Sequence, residues 1–188
     1  YLVNDLTLVY GIVGASRVGS RVLASLAMTA FEASLFDPYC SDERAAELGA
    51  RKVDDLIELA SGSRILSVHA PATDATQGLI SRDVLAALPD DATLINTARG
   101  ALVDQDALVD ELRSGRLRAV LDVTNPEVLD AGHPLYELPN VVITPHLSGS
   151  AGNELFRLGD AVAENVARLA AGQPLVGAVS AADRARQV

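Results

Sequence analysis

Cysteine, basic charge and long apolar runs are all scarce in this sequence, and each scarcity excludes something. Cys40 is the lone cysteine, so no internal disulfide forms. That usage fits a reducing compartment and implies a cytoplasmic protein. Three scattered histidines beside one cysteine give no metal-ligand spacing. The formal net charge is −10, which argues against a nucleic-acid partner, because phosphate binding needs a basic face. No stretch of about 18 uncharged apolar residues is available to span a membrane. The first residues do not show a basic-then-apolar leader, and a start further upstream can carry one. It starts at Tyr1 rather than Met, so the natural start is expected upstream. There is no internal repeat, low-complexity tract or clear linker, and the closing AADRARQV reads as a polar tail.

What remains is 188 residues, 49% of them hydrophobic, enough for one well-filled domain spanning residues 1–188. Short apolar runs predict strands at Leu8–Val13, Ala33–Phe36, Ile65–His69, Thr93–Asn96, Ala119–Val123 and Val141–Thr144, with a weaker one at Arg51–Val53. Most are too apolar for burial on one side only, as expected of parallel strands covered on both faces. Helical patterns separate them: Val18–Thr29, a run capped by Ser41 and ended by Gly49, and Asp54–Ala60. Further runs are capped by Ser81 and by Asp104, the latter ending at Gly115, and a long final helix covers residues 151–171. This alternation predicts an α/β fold with a doubly wound parallel sheet, Rossmann-like in type. Ligands in such sheets bind beyond the carboxyl ends of the strands, so the residues just after each strand matter most.

After the first strand the chain reads GIVGASRVGS over residues 11–20. The dinucleotide fingerprint G-x-G-x-x-G needs three glycines for a tight turn, close approach to a pyrophosphate and helix–strand packing. Here Gly14 and Gly19 are present, and Ser16 stands between them. Its Cβ crowds the pyrophosphate, or its hydroxyl replaces the lost contact. The first alternative predicts that Ser16→Gly strengthens NADH binding. Asp37 closes the second strand at about the 20-residue distance expected of a ribose-binding acid. A carboxylate there accepts from ribose hydroxyls and repels the extra phosphate of NADP, which favours NAD. Asp37–Pro38 is also a turn signal in its own right.

The other strand ends carry Arg99 in INTARG, Glu127 in DVTNPE and His146 in TPHLSG. A guanidinium can hold a carboxylate with two parallel hydrogen bonds, and a histidine titrates near neutrality and suits general acid–base work. Read singly, the blander reading leads for each: Arg99 a surface arginine, Glu127 a loop carboxylate and His146 a structural histidine. His69 either positions a loop beside a cofactor or is a buried strand histidine. His133 reads as loop surface, and Cys40 has no visible activating partner.

Taken in order, GIVGASRVG, FDPY, HAPAT, INTARGALVD, DVTNPE and TPHLSG resemble the NAD-binding domain of the D-isomer-specific 2-hydroxyacid dehydrogenases, relatives of phosphoglycerate dehydrogenase and glyoxylate/hydroxypyruvate reductases. The resemblance implies that Arg99 binds the substrate carboxylate and polarises its neighbouring carbonyl. It makes His146 the proton donor to that carbonyl oxygen, with Glu127 orienting His146. Asp122 is implied to hold the nicotinamide amide and Asp37 the ribose. Cofactor contacts are expected on Gly14, Ser16, Arg17, Val18 and Gly19 of the turn and on Asp37 and Pro38. They are also expected on His69, Ala70, Pro71 and Thr76, on Thr97, Ala98 and Arg99, and on Asp122, His146 and Gly149. The expected partner is a small 2-hydroxy or 2-keto acid, and the family pattern implies a homodimer formed through the cofactor domain.

Three positions depart from the family pattern: Ser16, Thr124 in place of the usual Phe, and Val128 in place of the usual Pro. A second, smaller substrate domain, which the family builds mainly from sequence before the cofactor domain, is absent from this chain. The alternative reading is an NAD-sensing module of corepressor type, against which the retention of Arg99, Glu127 and His146 argues.

Overall fold

A computed structural model of the chain describes residues 8–180. Seven parallel strands form one sheet: β1 (Val9–Val13), β2 (Glu32–Phe36), β3 (Arg51–Lys52), β4 (Ile65–Val68), β5 (Thr93–Asn96), β6 (Arg118–Leu121) and β7 (Val141–Ile143). Their order across the sheet is β3-β2-β1-β4-β5-β6-β7. Order reverses between β1 and β4, and that switch point is where open α/β sheets leave a crevice for a ligand. Val13 pairs with Phe36 on one side and Val68 on the other, so three carboxyl ends meet there.

The intervening helices are α1 (Arg17–Leu26), α2 (Asp42–Glu47), α3 (Leu56–Ser61), α4 (Arg82–Ala87), α5 (Gln105–Arg113) and α6 (Glu154–Ala170). Ser41, Ser81 and Asp104 cap their helices through side-chain oxygens, as the sequence predicts. Helix α3 starts at Leu56 rather than at the expected Asp54, because Asp55 is its N-cap and its carboxylate accepts the amides of both Ile57 and Glu58. Helix α1 stops short of the expected Thr29. The Thr29 hydroxyl donates to the Leu26 carbonyl at 2.6 Å and accepts the Phe31 amide, turning the chain toward β2.

Two compact units divide the chain after Pro145. In the first, one apolar cluster joins Ile12 and Leu35 of the sheet to Leu23 of α1 and Ala45 of α2. A larger one joins Leu66, Val68, Leu94 and Leu121 to α3, α4 and α5 through Leu59, Leu85 and Leu108. The expectation of strands covered on both faces holds for β1, β2 and β4 but weakens toward β7. In β5 the alternate residues Leu94 and Asn96 are buried while Thr93 and Ile95 are half-exposed. Val142 of β7 is 56% exposed. Among the described residues, no helix is long and apolar enough to cross a membrane. In the second unit, α6 leaves Leu155, Leu158, Val162, Val166 and Leu169 exposed at helical spacing. The Asn165 side chain holds the Val176 backbone through both amide atoms, so the following segment folds back along the helix. The AADRARQV tail lies outside the described residues.

Candidate active site

At the switch point, Gly14 adopts φ +96°, a conformation that L side chains rarely take. A Cβ there would lie 2.8 Å from the Ala70 amide nitrogen, so the turn passes directly against the chain after β4. Gly19 is as constrained. Its missing Cβ would fall 2.0 Å from the Gly14 carbonyl oxygen and 3.2 Å from His69 Cβ. These two contacts seat the start of α1 on the ends of β1 and β4. The structure therefore brings Gly14, Gly19, His69 and Ala70 together. Ser16 is the N-cap of α1, and its hydroxyl accepts the Gly19 amide.

Asp37 reaches this turn as well. Its Oδ2 accepts the Ala15 amide at 2.7 Å, and its Oδ1 accepts the Tyr39 amide at 2.8 Å. Each carboxylate oxygen keeps a second lone pair for a further donor. The Ala15 carbonyl accepts from Ser20 Oγ at 2.9 Å, so both backbone groups of Ala15 are held by side chains. Ser20 carries no motif signal, and nothing in the sequence marks it. Pro38 is exposed beside the carboxylate.

His69 is buried, and its Nε2 lies 2.9 Å from Ser67 Oγ. Burial pushes its imidazole below the ordinary histidine value, toward the neutral form. Of the two readings open for His69, the structure shows a buried histidine that also abuts the glycine turn. The loop after it is braced by Thr76, whose hydroxyl donates to the Pro71 carbonyl at 2.6 Å and accepts the Thr73 amide at 2.8 Å. Cys40 is buried, and burial pushes its thiol up, away from the reactive thiolate. His133 caps a short 3-10 turn through Nδ1, a structural role.

Beyond β5, Asn96 organises the next loop. It is 1% exposed, its Oδ1 accepts the Ala98 amide at 3.0 Å, and its Nδ2 donates to the Arg99 carbonyl at 2.9 Å. This holds Thr97, Ala98 and Arg99 in a fixed turn and leaves the Arg99 side chain exposed. Sequence reasoning missed Asn96. The available signal was an amide closing an otherwise apolar strand. A Cβ on Gly100 would lie 2.1 Å from the Thr124 carbonyl oxygen, so the Arg99 loop rests on the loop that follows β6.

That second loop starts at Asp122, whose carboxylate is 2% exposed and accepts from the Thr144 hydroxyl. Thr124, buried where a Phe was expected, donates to the carbonyls of Pro126 and Glu127 at 2.8 and 3.1 Å. The Gln105 side chain clamps Asn125 from the other side through two bonds of 2.8 and 2.9 Å. Glu127 is thus an exposed carboxylate on a loop fixed at its base. The second unit begins with His146, exposed and at φ +53°, a left-handed conformation uncommon for a side-chain-bearing residue. Gly149 has open space around it.

A dinucleotide fits the chemistry of the switch point. The turn packs two glycines against neighbouring backbone, the N-terminus of α1 starts there, and a carboxylate stands at the end of the second strand. Comparison with known proteins agrees. Residues 6–148 match the family described as D-isomer specific 2-hydroxyacid dehydrogenase, NAD binding domain. D-3-phosphoglycerate dehydrogenase of Mycobacterium leprae is 41% identical over 173 residues, covering 90% of this chain and 32% of that protein. The apo D-mandelate dehydrogenase of Rhodotorula graminis superposes with a TM-score of 0.82 at 32% identity, over 90% of this chain and 50% of that one. A D-isomer specific 2-hydroxyacid dehydrogenase from Xanthobacter autotrophicus Py2, solved with NADPH and MES, gives a TM-score of 0.77 at 33% identity, covering 92% and 71%. The chain spans about a third of the length of the curated relatives it matches.

Proposed function

We infer the reaction from one premise: this chain belongs to the D-isomer specific 2-hydroxyacid dehydrogenases, as an NAD-binding domain. The protein that carries it transfers a hydride between a nicotinamide and a D-2-hydroxy or 2-keto acid. The observation that supports this reading best is the construction of the two loops bearing Arg99 and Glu127. Asn96 and Thr124 spend their buried polar groups on holding those loops, and Gly100 lets one rest on the other.

The bound nicotinamide supplies the hydride. The residues of this chain do the rest. Arg99 binds the substrate carboxylate and polarises the neighbouring carbonyl by its charge. His146 gives a proton to the carbonyl oxygen as the carbon is reduced, and takes it back in the reverse direction. Glu127 orients the imidazole. Asp122 holds the nicotinamide amide, and Asp37 holds the ribose. Asp37 also sets the preference for NAD over NADP, since the 2′-phosphate would meet a carboxylate.

The full enzyme needs a substrate-binding segment beyond this chain, so that the 188 residues alone bind cofactor but turn over poorly. The resemblance and the single cysteine support a cytoplasmic homodimer. A screen of the full-length protein over 2-keto acids with NADH tests the activity. Oxidation of NADH with at least one acid is expected. Measurable NADH binding with no oxidation by any of them would overturn the dehydrogenase reading.

A further inference from the structure

Ser16 breaks the glycine pattern at the point of closest approach to a pyrophosphate, and its surroundings show what it does there. Its backbone, φ −57° and ψ 179°, is open to any residue, so a side chain is carried without strain. Its Oγ accepts the Gly19 amide at 3.3 Å. That amide is one of the N–H groups which the first turn of a helix leaves without an internal acceptor. The amides of Arg17 and Val18 are also without one, and they take no other acceptor among the described residues. The serine thus satisfies the third amide of α1 and leaves the first two for a ligand.

A hydroxyl that accepts one hydrogen bond keeps its own proton to donate. The Ser16 proton meets no protein acceptor among the described residues, and the side chain is half-exposed. Ala15, just before it, is held at both backbone groups by Asp37 and Ser20, so residue 16 sits on a fixed support.

We propose that the Ser16 hydroxyl donates directly to the pyrophosphate of the dinucleotide, alongside the Arg17 and Val18 amides. A side-chain donor then replaces the close backbone approach that a glycine would allow. This rests on the NAD-binding reading and sharpens it. Of the two readings of Ser16 that the sequence leaves open, it takes the one in which the hydroxyl replaces the lost contact.

Three roles for Ser16 predict different results for Ser16→Gly. A crowding serine makes the glycine variant bind tighter. A serine that only caps the helix leaves binding nearly unchanged, because glycine is almost as good an N-cap. A direct donor makes it bind more weakly. The test is calorimetric titration of the chain, Ser16→Gly and Ser16→Ala with NADH and with ADP-ribose, which keeps the pyrophosphate but lacks nicotinamide. Thermal melts confirm that each variant folds. Both variants are expected to lose about tenfold in affinity for both ligands, the worth of one hydrogen bond to a charged group. Unchanged or tighter binding of either ligand by Ser16→Gly overturns the proposal while leaving the NAD site intact. Absence of binding by the unsubstituted chain overturns the NAD reading and this inference together.

Discussion

The two ends of the sheet's carboxyl edge are built on different plans. At the β1–β4 switch point, the proposed cofactor binding rests on the backbone. Gly14 and Gly19 have no space for a methyl group, and Ala15 is held by Asp37 and Ser20. At the β5 and β6 ends, the proposed chemistry rests on exposed side chains, and side-chain bonds from Asn96, Thr124 and Gln105 to the backbone fix the loops beneath them. Cofactor binding needs close approach to a long, fixed ligand. Acid–base chemistry needs side chains that reach a small and variable substrate. The difference predicts that substitutions at one end remove binding, while those at the other remove rate.

The largest expected effect is on rate. His146→Ala in the full-length enzyme should lower kcat by about 10²–10⁴-fold, the usual worth of a positioned acid–base group. The NADH dissociation constant should stay within about threefold. Equal losses in both would erase the contrast and make His146 structural.

Next is the binding end. Gly14→Ala places a methyl against the Ala70 backbone at a positive φ. It should cost about 2–3 kcal/mol in denaturant unfolding and remove most NADH binding. A variant that is stable and binds normally would show that the close approach is not required.

A smaller effect separates the two roles of Asp37. Asp37→Asn removes the charge and keeps only one of the two oxygens that accept the Ala15 and Tyr39 amides. It should narrow the preference for NADH over NADPH by about tenfold and cost about 1 kcal/mol of stability for the lost bond. A preference left as it was would assign Asp37 to the turn alone.

The smallest effect concerns His69. Burial lowers its folded pKa below the ordinary 6.5, so below that pH the unfolded chain takes up a proton that the folded chain resists. Its contribution is therefore complete above about pH 6.5 and lost as pH falls through the lower, folded value. The slope from this group is at most about 1.4 kcal/mol per pH unit. His69→Gln should flatten the stability profile in that window. A profile unchanged by the substitution would place the acid sensitivity elsewhere.

The strands, their parallel pairing and the caps at Ser41, Ser81 and Asp104 were legible because apolar runs, their alternation with helices and short polar side chains all show in the sequence. The glycine turn and Asp37 were legible by spacing. Asn96, Ser20 and Gln105 were not, because their partners are backbone groups that only the folded loop brings near, such as the Asn125 amide and carbonyl. The role of Thr124 was hidden for the same reason. As a departure from a pattern it signalled only a change, and its two carbonyl partners show that it fixes the Glu127 loop. The half-open face toward β7 was missed because apolar composition alone does not say which strands are covered.

The central claim is that the binding end is complete within this chain. Its most direct test is calorimetric titration of the 188-residue chain with NADH, beside Gly14→Ala. Saturable one-to-one binding by the unsubstituted chain, lost in the variant, is the expected result. No binding, or the same binding in both, would contradict it.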